Sequence, residues 1–112
     1  AFASDNTRDP FYAYGDLDML EVMREATRIA HLDHPMGGWP AAFARRAADI
    51  AGFRGVGAIA EGAPADLVLF PARSWTELFA RPHSERCVIR AGRPIDARPP
   101  DYEELDELME PA

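Results

Sequence analysis

Lysine is absent from this 112-residue chain; all twelve basic residues are arginine. With abundant alanine, glycine and proline, that bias points to a GC-rich genome and carries nothing about activity. Positive charge is scarce as well. Nineteen acidic residues leave a formal net charge of −7, which argues against a nucleic-acid partner, since such partners want a basic face. Cysteine occurs once, at Cys87, so no internal disulfide can form and a reducing compartment is allowed. Cys87 sits in an apolar run and reads as inert core. No apolar stretch is long enough to cross a bilayer, and no stretch has the pattern of a secretory signal. No membrane partner is expected, and the expected setting is cytoplasmic. The chain is also short: it suits one small domain, whereas a complete (β/α)8 barrel needs about 250 residues.

What is present begins with an apolar lead, Ala1-Phe2-Ala3, running into the polar cluster Ser4-Asp5-Asn6-Thr7-Arg8 before Asp9-Pro10 turns the chain. A short buried strand whose C-terminal end carries chemistry has this pattern. A strand buried on both faces needs neighbours on each side, and the rest of the chain offers few. The chain is therefore expected to be a segment of a larger protein.

An aromatic loop follows (Phe11, Tyr12, Tyr14), then a helix from about Asp16 to Leu32. Its N-cap is Asp18, which has capping-box spacing to Glu21, or equally Asp16; its apolar face runs through Leu17, Leu20, Met23 or Thr27, and Ala30. Asp33 to Gly38 is a loop by its proline and glycines. A second helix is expected from Trp39-Pro40, with proline in the first turn where its missing N–H is harmless and Gly52 as the stop. Gly57–Ala60 reads as a short strand, Glu61-Gly62 as a turn, and Asp66–Phe70 as a buried strand. Ser74-Trp75-Thr76-Glu77 is a capping box for a short helix. Arg86–Ala91 reads as a strand, Gly92 as a turn, Pro94-Ile95 as a return, and Asp101–Met109 as a short acidic helix. Asp66–Phe70 is expected to pair with Cys87–Ala91, the capped helix providing a parallel crossover, with the opening strand outside that pair.

Two segments carry a family resemblance. Ser4-Asp5-Asn6 with Arg8-Asp9-Pro10-Phe11-Tyr12 resembles the end of the last barrel strand in the cytosine-deaminase-like branch of the amidohydrolase superfamily. The pattern Gly57-x-Ile59-x-x-Gly62-x-x-Ala65-Asp66-Leu67-Val68-Leu69, followed by Val88-Ile89-Arg90-Ala91-Gly92-Arg93, is similar to the small β domain of that superfamily. The resemblance implies an α/β fold: the C-terminal fragment of a (β/α)8 TIM-type barrel plus the last strands of a small β-sandwich domain. Residues 1–55 would be the last strand and C-terminal helices of the barrel, 56–98 the small β domain segment, and 99–112 an acidic tail helix.

In such enzymes a divalent metal, zinc or iron, makes a bound water nucleophilic near neutral pH, and the water displaces ammonia from an amidine-type ring carbon. The resemblance makes Asp5 both a metal ligand and the catalytic base. By its residues alone Asp5 reads first as a turn former, because Asp and Asn make Asx-turns. Asn6 would lie close to the substrate ring, where it can donate and accept; a turn former is the equal alternative. Phe11 would border the pocket and stack on a flat ring, or be a core aromatic of the loop. Arg8 and Asp9 could pair and brace the loop.

None of His31, His34 and His83 matches a family ligand, and His31 and His34 lack the i, i+4 spacing of a helical pair. The absence of Cys-x-x-Cys excludes the small zinc deaminases that carry it. A His-x-His pair, further histidines and a glutamate acid/base are implied by the resemblance and lacking here, so these residues alone are expected to be inactive. The implied parent is an aminohydrolase acting on a heterocycle such as cytosine, a homo-oligomer completed by its own N-terminal remainder. Removal of an alkylamino group from a triazine ring is the alternative within the superfamily. The alternative of another class is a non-catalytic helical interaction module.

Overall fold

The computed structural model describes residues 1–83, 85–96, 98 and 101–109. Four helices and a small sheet alternate with turns. Helix α1 spans Met19–Ala30. Asp18, not Asp16, is its N-cap, its carboxylate accepting from the Leu20 N–H at 2.9 Å. His31 ends it in the left-handed region, φ 52°. Met23 and Thr27 are the buried residues of its face, whereas Leu17 and Ala30 lie exposed.

The expected second helix divides. Trp39–Ala42 forms a 3-10 turn with Pro40 in its first positions, and α2 follows over Arg45–Ile50. The opening segment docks here. Phe2 donates its N–H to the Ala42 carbonyl at 3.1 Å and stacks on Phe43 with centroids 4.7 Å apart. Met23, Leu32 and Ala42 form the small buried core. Ala1–Ala3 is not a strand, contrary to expectation: among the described residues it has no ladder of N–H and C=O partners, and a single bond to Ala42 does not make one.

Strands β1 (Leu67–Leu69), β2 (Cys87–Arg90) and β3 (Arg93–Ile95) form one sheet in that order. The expected pair of segments does meet, but antiparallel: Leu67 faces Ile89 and Leu69 faces Cys87. The expected parallel crossover is therefore absent. Helix α3 (Trp75–Ala80) has six residues and folds back beyond the end of β1, with His83 Nε2 at 3.2 Å from the Glu77 carbonyl. The chain thus re-enters the sheet at the end it left. Ser74 caps α3 by accepting from the Glu77 N–H at 3.2 Å. The reciprocal half of the box is shifted by one residue, Glu77 accepting from the N–H of Arg73 at 2.9 Å.

Ala91 and Gly92, at φ 48° and 77°, make the two-residue β2–β3 turn, the positive-φ geometry that suits a tight hairpin. Asp66 pins that turn: its carboxylate accepts from the Ala91 N–H at 2.8 Å. The Ala65-Asp66-Leu67 motif therefore has a structural task. Gly57–Ala60 is not a strand. Gly57 stands at φ 76°, which interrupts an extended run, and Ile59 is exposed. Cys87 is exposed rather than core, because a three-stranded sheet leaves its outer side chains uncovered. The acidic tail starts as a 3-10 turn, Tyr102–Leu105, and continues as α4, Asp106–Met109; residues 99–100 and 110–112 of that expected segment lie outside the described residues. No helix among the described residues is long and apolar enough to cross a membrane.

Candidate functional site

The loop from Ser4 to Asp18 holds four aspartates with different engagements. Asp9 is used by the turn, accepting from the N–H groups of Phe11 at 2.8 Å and Tyr12 at 3.0 Å. It does not pair with Arg8, because its oxygen already faces the backbone it caps. Asp16 pairs with the Arg8 guanidinium. Asp18 caps α1 and also takes Arg86 in a bidentate pair, Nη1–Oδ1 at 2.9 Å and Nη2–Oδ2 at 2.7 Å. That pair holds the Asp18 carboxyl below the ordinary aspartate range, opposed by partial burial.

Asp5 differs from the other three. It is exposed, and no hydrogen bond or ion pair among the described residues engages its carboxylate. Its backbone is left-handed, φ 56°, a conformation that aspartate tolerates better than bulkier residues. Its carboxylate is free to ligate an ion or accept a proton.

Asn6 is exposed beside it. Phe11 is 88% exposed at the tip of the Asp9 turn, so it is not a core aromatic here. A cavity of about 180 Å³ opens alongside, lined by Ser4, Thr7, Tyr12, Tyr14, Asp16 and Glu21 among others. Asp5, Asn6 and Phe11 share the loop with that cavity but do not line it. A larger groove, about 600 Å³, lies at the start of α2 between Arg45, Arg54 and Glu61, away from the loop.

Arg8 organises the loop in a way that reading along the sequence missed. Its Nε donates to the Gly15 carbonyl at 2.9 Å, and its Nη2 reaches both Asp16 and the Tyr102 hydroxyl, the latter at 2.7 Å. The one sequence signal for this was that Asp9 precedes a proline and is better used as a turn acceptor, which leaves Arg8 free for a distant partner.

A catalytic metal takes at least three protein ligands. Among the described residues no group of three His, Cys, Asp or Glu side chains is placed to hold an ion. Asp5 could supply one ligand to such a set, and the set would need further members beyond the described residues.

The loop that carries Asp5 and the small sheet pinned by Asp66 both fall within a stretch that matches a known family. Residues 1–96 match the amidohydrolase family, and the chain belongs to that family. Within it, the chain is similar to the pterin deaminase of Rhizobium rhizogenes strain K84, 57% identical over 109 residues that make up 97% of this chain and 25% of the relative. The chain thus spans about a quarter of the length of that curated relative. No solved structure matches the chain.

Proposed function

We propose that this chain is the C-terminal part of a metal-dependent hydrolase that deaminates a nitrogen heterocycle, with Asp5 as the proton carrier. The observation that carries the reading is the state of Asp5: of the four aspartates on the loop, it is the one whose carboxylate takes no hydrogen bond or ion pair among the described residues. Family membership and the named relative support the same chemistry.

The substrate class we favour is a fused two-ring pterin ahead of one-ring cytosine, because the pterin deaminase relative is 57% identical to this chain. Both substrates present an amino group on an amidine-type ring carbon, so the reaction is shared. The divalent ion, when bound by the full ligand set, would lower the pKa of a water. Asp5 takes a proton as the water oxygen bonds to the amino-bearing carbon. It then hands that proton to the amino nitrogen, the C–N bond breaks and ammonia leaves; the second water proton ends on the adjacent ring nitrogen, and the ring carbon becomes a carbonyl. Asn6 beside it can donate to or accept from the ring edge. Phe11 offers an apolar face against which a flat ring can stack. In this reading residues 1–55 end the barrel and residues 56–98 complete the small β domain.

The test is Asp5→Asn in the full-length protein assayed with pterin. Turnover should fall by roughly 10²–10⁴-fold, the contribution of positioned acid–base help, with the melting temperature unchanged because Asp5 holds no structural bond. A variant that retains more than about a tenth of the wild-type rate, well short of that loss, would show Asp5 to be a turn residue only.

A further inference from the structure

Arg8 lies three residues after Asp5, and both hold left-handed backbone, φ 52° and 56°. Non-glycine residues keep that conformation only where the surroundings over-determine it. For Arg8 those surroundings are explicit. Its N–H donates to the Tyr14 carbonyl at 3.3 Å, and its side chain reaches the Gly15 carbonyl and the Asp16 carboxylate. These bonds close residues 8–16 into a ring directly after Asp5 and Asn6.

The remaining partner comes from the far end of the chain. The Tyr102 hydroxyl oxygen accepts from Arg8 Nη2 at 2.7 Å, and the guanidinium carbon sits 5.2 Å from the Tyr102 ring centroid. One aromatic residue thus holds Arg8 by both a hydrogen bond and a cation–π contact. The backbone under Tyr102 is itself fixed, since Asp101 accepts from the Glu103 N–H at 3.1 Å. The tail around it is acidic, with Glu103, Glu104, Asp106 and Glu107, which suits a segment that docks on an arginine. Tyr102 also lies beyond residue 96, where the family match ends.

We propose that the C-terminal segment is a clasp on the active-site loop. Tyr102 is a positioning residue that acts through Arg8 to fix the backbone carrying Asp5. The proposal rests on the reading of Asp5 as the proton carrier. It adds that turnover in this protein depends on a residue beyond the stretch matched to the family.

The experiment compares Tyr102→Phe, Tyr102→Ala, Arg8→Lys, Arg8→Ala and the Arg8→Ala/Tyr102→Ala double variant in the metal-loaded full-length protein. Steady-state kinetics with pterin and amide hydrogen exchange over residues 5–16 are both measured. In Tyr102→Ala, kcat should fall at least about fivefold with KM within about twofold of wild type, inside the ~10² loss that a 1 Å misplacement can cause. Tyr102→Phe keeps the ring and loses the acceptor, so its loss should be smaller. Arg8→Lys keeps the charge without the fork and should recover part of the Arg8→Ala loss. The double variant should be no worse than Arg8→Ala, since one residue acts through the other, and amides 5–16 should exchange faster in Tyr102→Ala. Additive losses in the double variant, or unchanged exchange in Tyr102→Ala, would overturn the clasp. If Asp5→Asn instead keeps wild-type turnover, the reading of the reaction fails, and the exchange measurement still decides the clasp.

Discussion

Asp18 and Arg86, 68 residues apart, meet in a two-bond ion pair that ties the N-terminus of α1 to the segment entering β2. Both side chains are about three-quarters buried, with relative exposures of 24% and 23%. Arg86 also lies over the Phe70 ring at 5.2 Å and donates to the His83 carbonyl. One guanidinium therefore joins the helical part, the end of β1 and the link that carries α3. Asp18 in turn serves two ends, capping α1 and holding Arg86.

Breaking this pair should be costly for a partly exposed contact. Arg86→Ala in the full-length protein is expected to destabilise by about 1.5–3 kcal/mol, the range for hydrogen bonds to charged groups. Asp18→Asn keeps an N-cap acceptor and removes only the ion pair, so it should cost less than Asp18→Ala, which loses both. Denaturant unfolding of the three variants checks the order. Equal effects of Asp18→Asn and Asp18→Ala would mean that the cap contributes nothing.

The same pair sets a pH dependence. Arg86 holds the folded-state carboxyl of Asp18 below the ordinary value of 3.8. The unfolded chain therefore binds a proton there before the folded one does as pH falls. The stabilisation is fully present above the ordinary aspartate range and is lost as pH drops through 3.8 toward the depressed value. Arg86 is shifted upward from its ordinary value by the same contact, so its part would be lost only under strongly alkaline conditions. Glu77, fully exposed, is also lowered, chiefly by its hydrogen bond from Arg73. Melting temperature against pH should thus fall less steeply on the acid side in Asp18→Asn than in wild type, with Glu77→Gln as the comparison. Identical acid limbs for Asp18→Asn and wild type would contradict the linkage.

Gly57 marks a close approach of two backbones. A Cβ there would stand 2.7 Å from the Arg45 nitrogen and 2.8 Å from the Ala44 carbonyl carbon, with φ at +76°. Gly55 shares the positive φ, +73°, but faces open space. Gly55→Ala should therefore show only the left-handed backbone cost, about 1–2 kcal/mol. Gly57→Ala must add displacement of the start of α2 and should cost clearly more. Thermal unfolding of the two variants side by side measures the difference, and equal losses would show that the approach at Gly57 relaxes freely.

Much of this chain was legible from short-range chemistry. Ser74 as a cap, Pro40 in a first turn, a turn at Gly92 and the turn at Glu61-Gly62 each depend on atoms within about four residues, so neighbouring letters suffice to place them. By sequence Asp16 and Asp18 are level as caps, and the fold chooses Asp18. The Asp5 motif and the Ala65-Asp66-Leu67 pattern likewise pointed to the family without any contact map. What the tertiary structure alone decided are the features that depend on where distant segments come to rest. The β1–β2 pair runs antiparallel because the chain, after α3, re-enters the sheet beside the end of β1 at which it left. Cys87 is exposed because nothing among the described residues covers that side of the sheet. Arg8 turns from its neighbour Asp9 to Tyr102, 94 residues away, because the Asp9 carboxylate is already engaged by the backbone N–H groups it caps. Local rules state which groups are available for bonding. Only the closure of the whole chain selects the distant partner each of them takes.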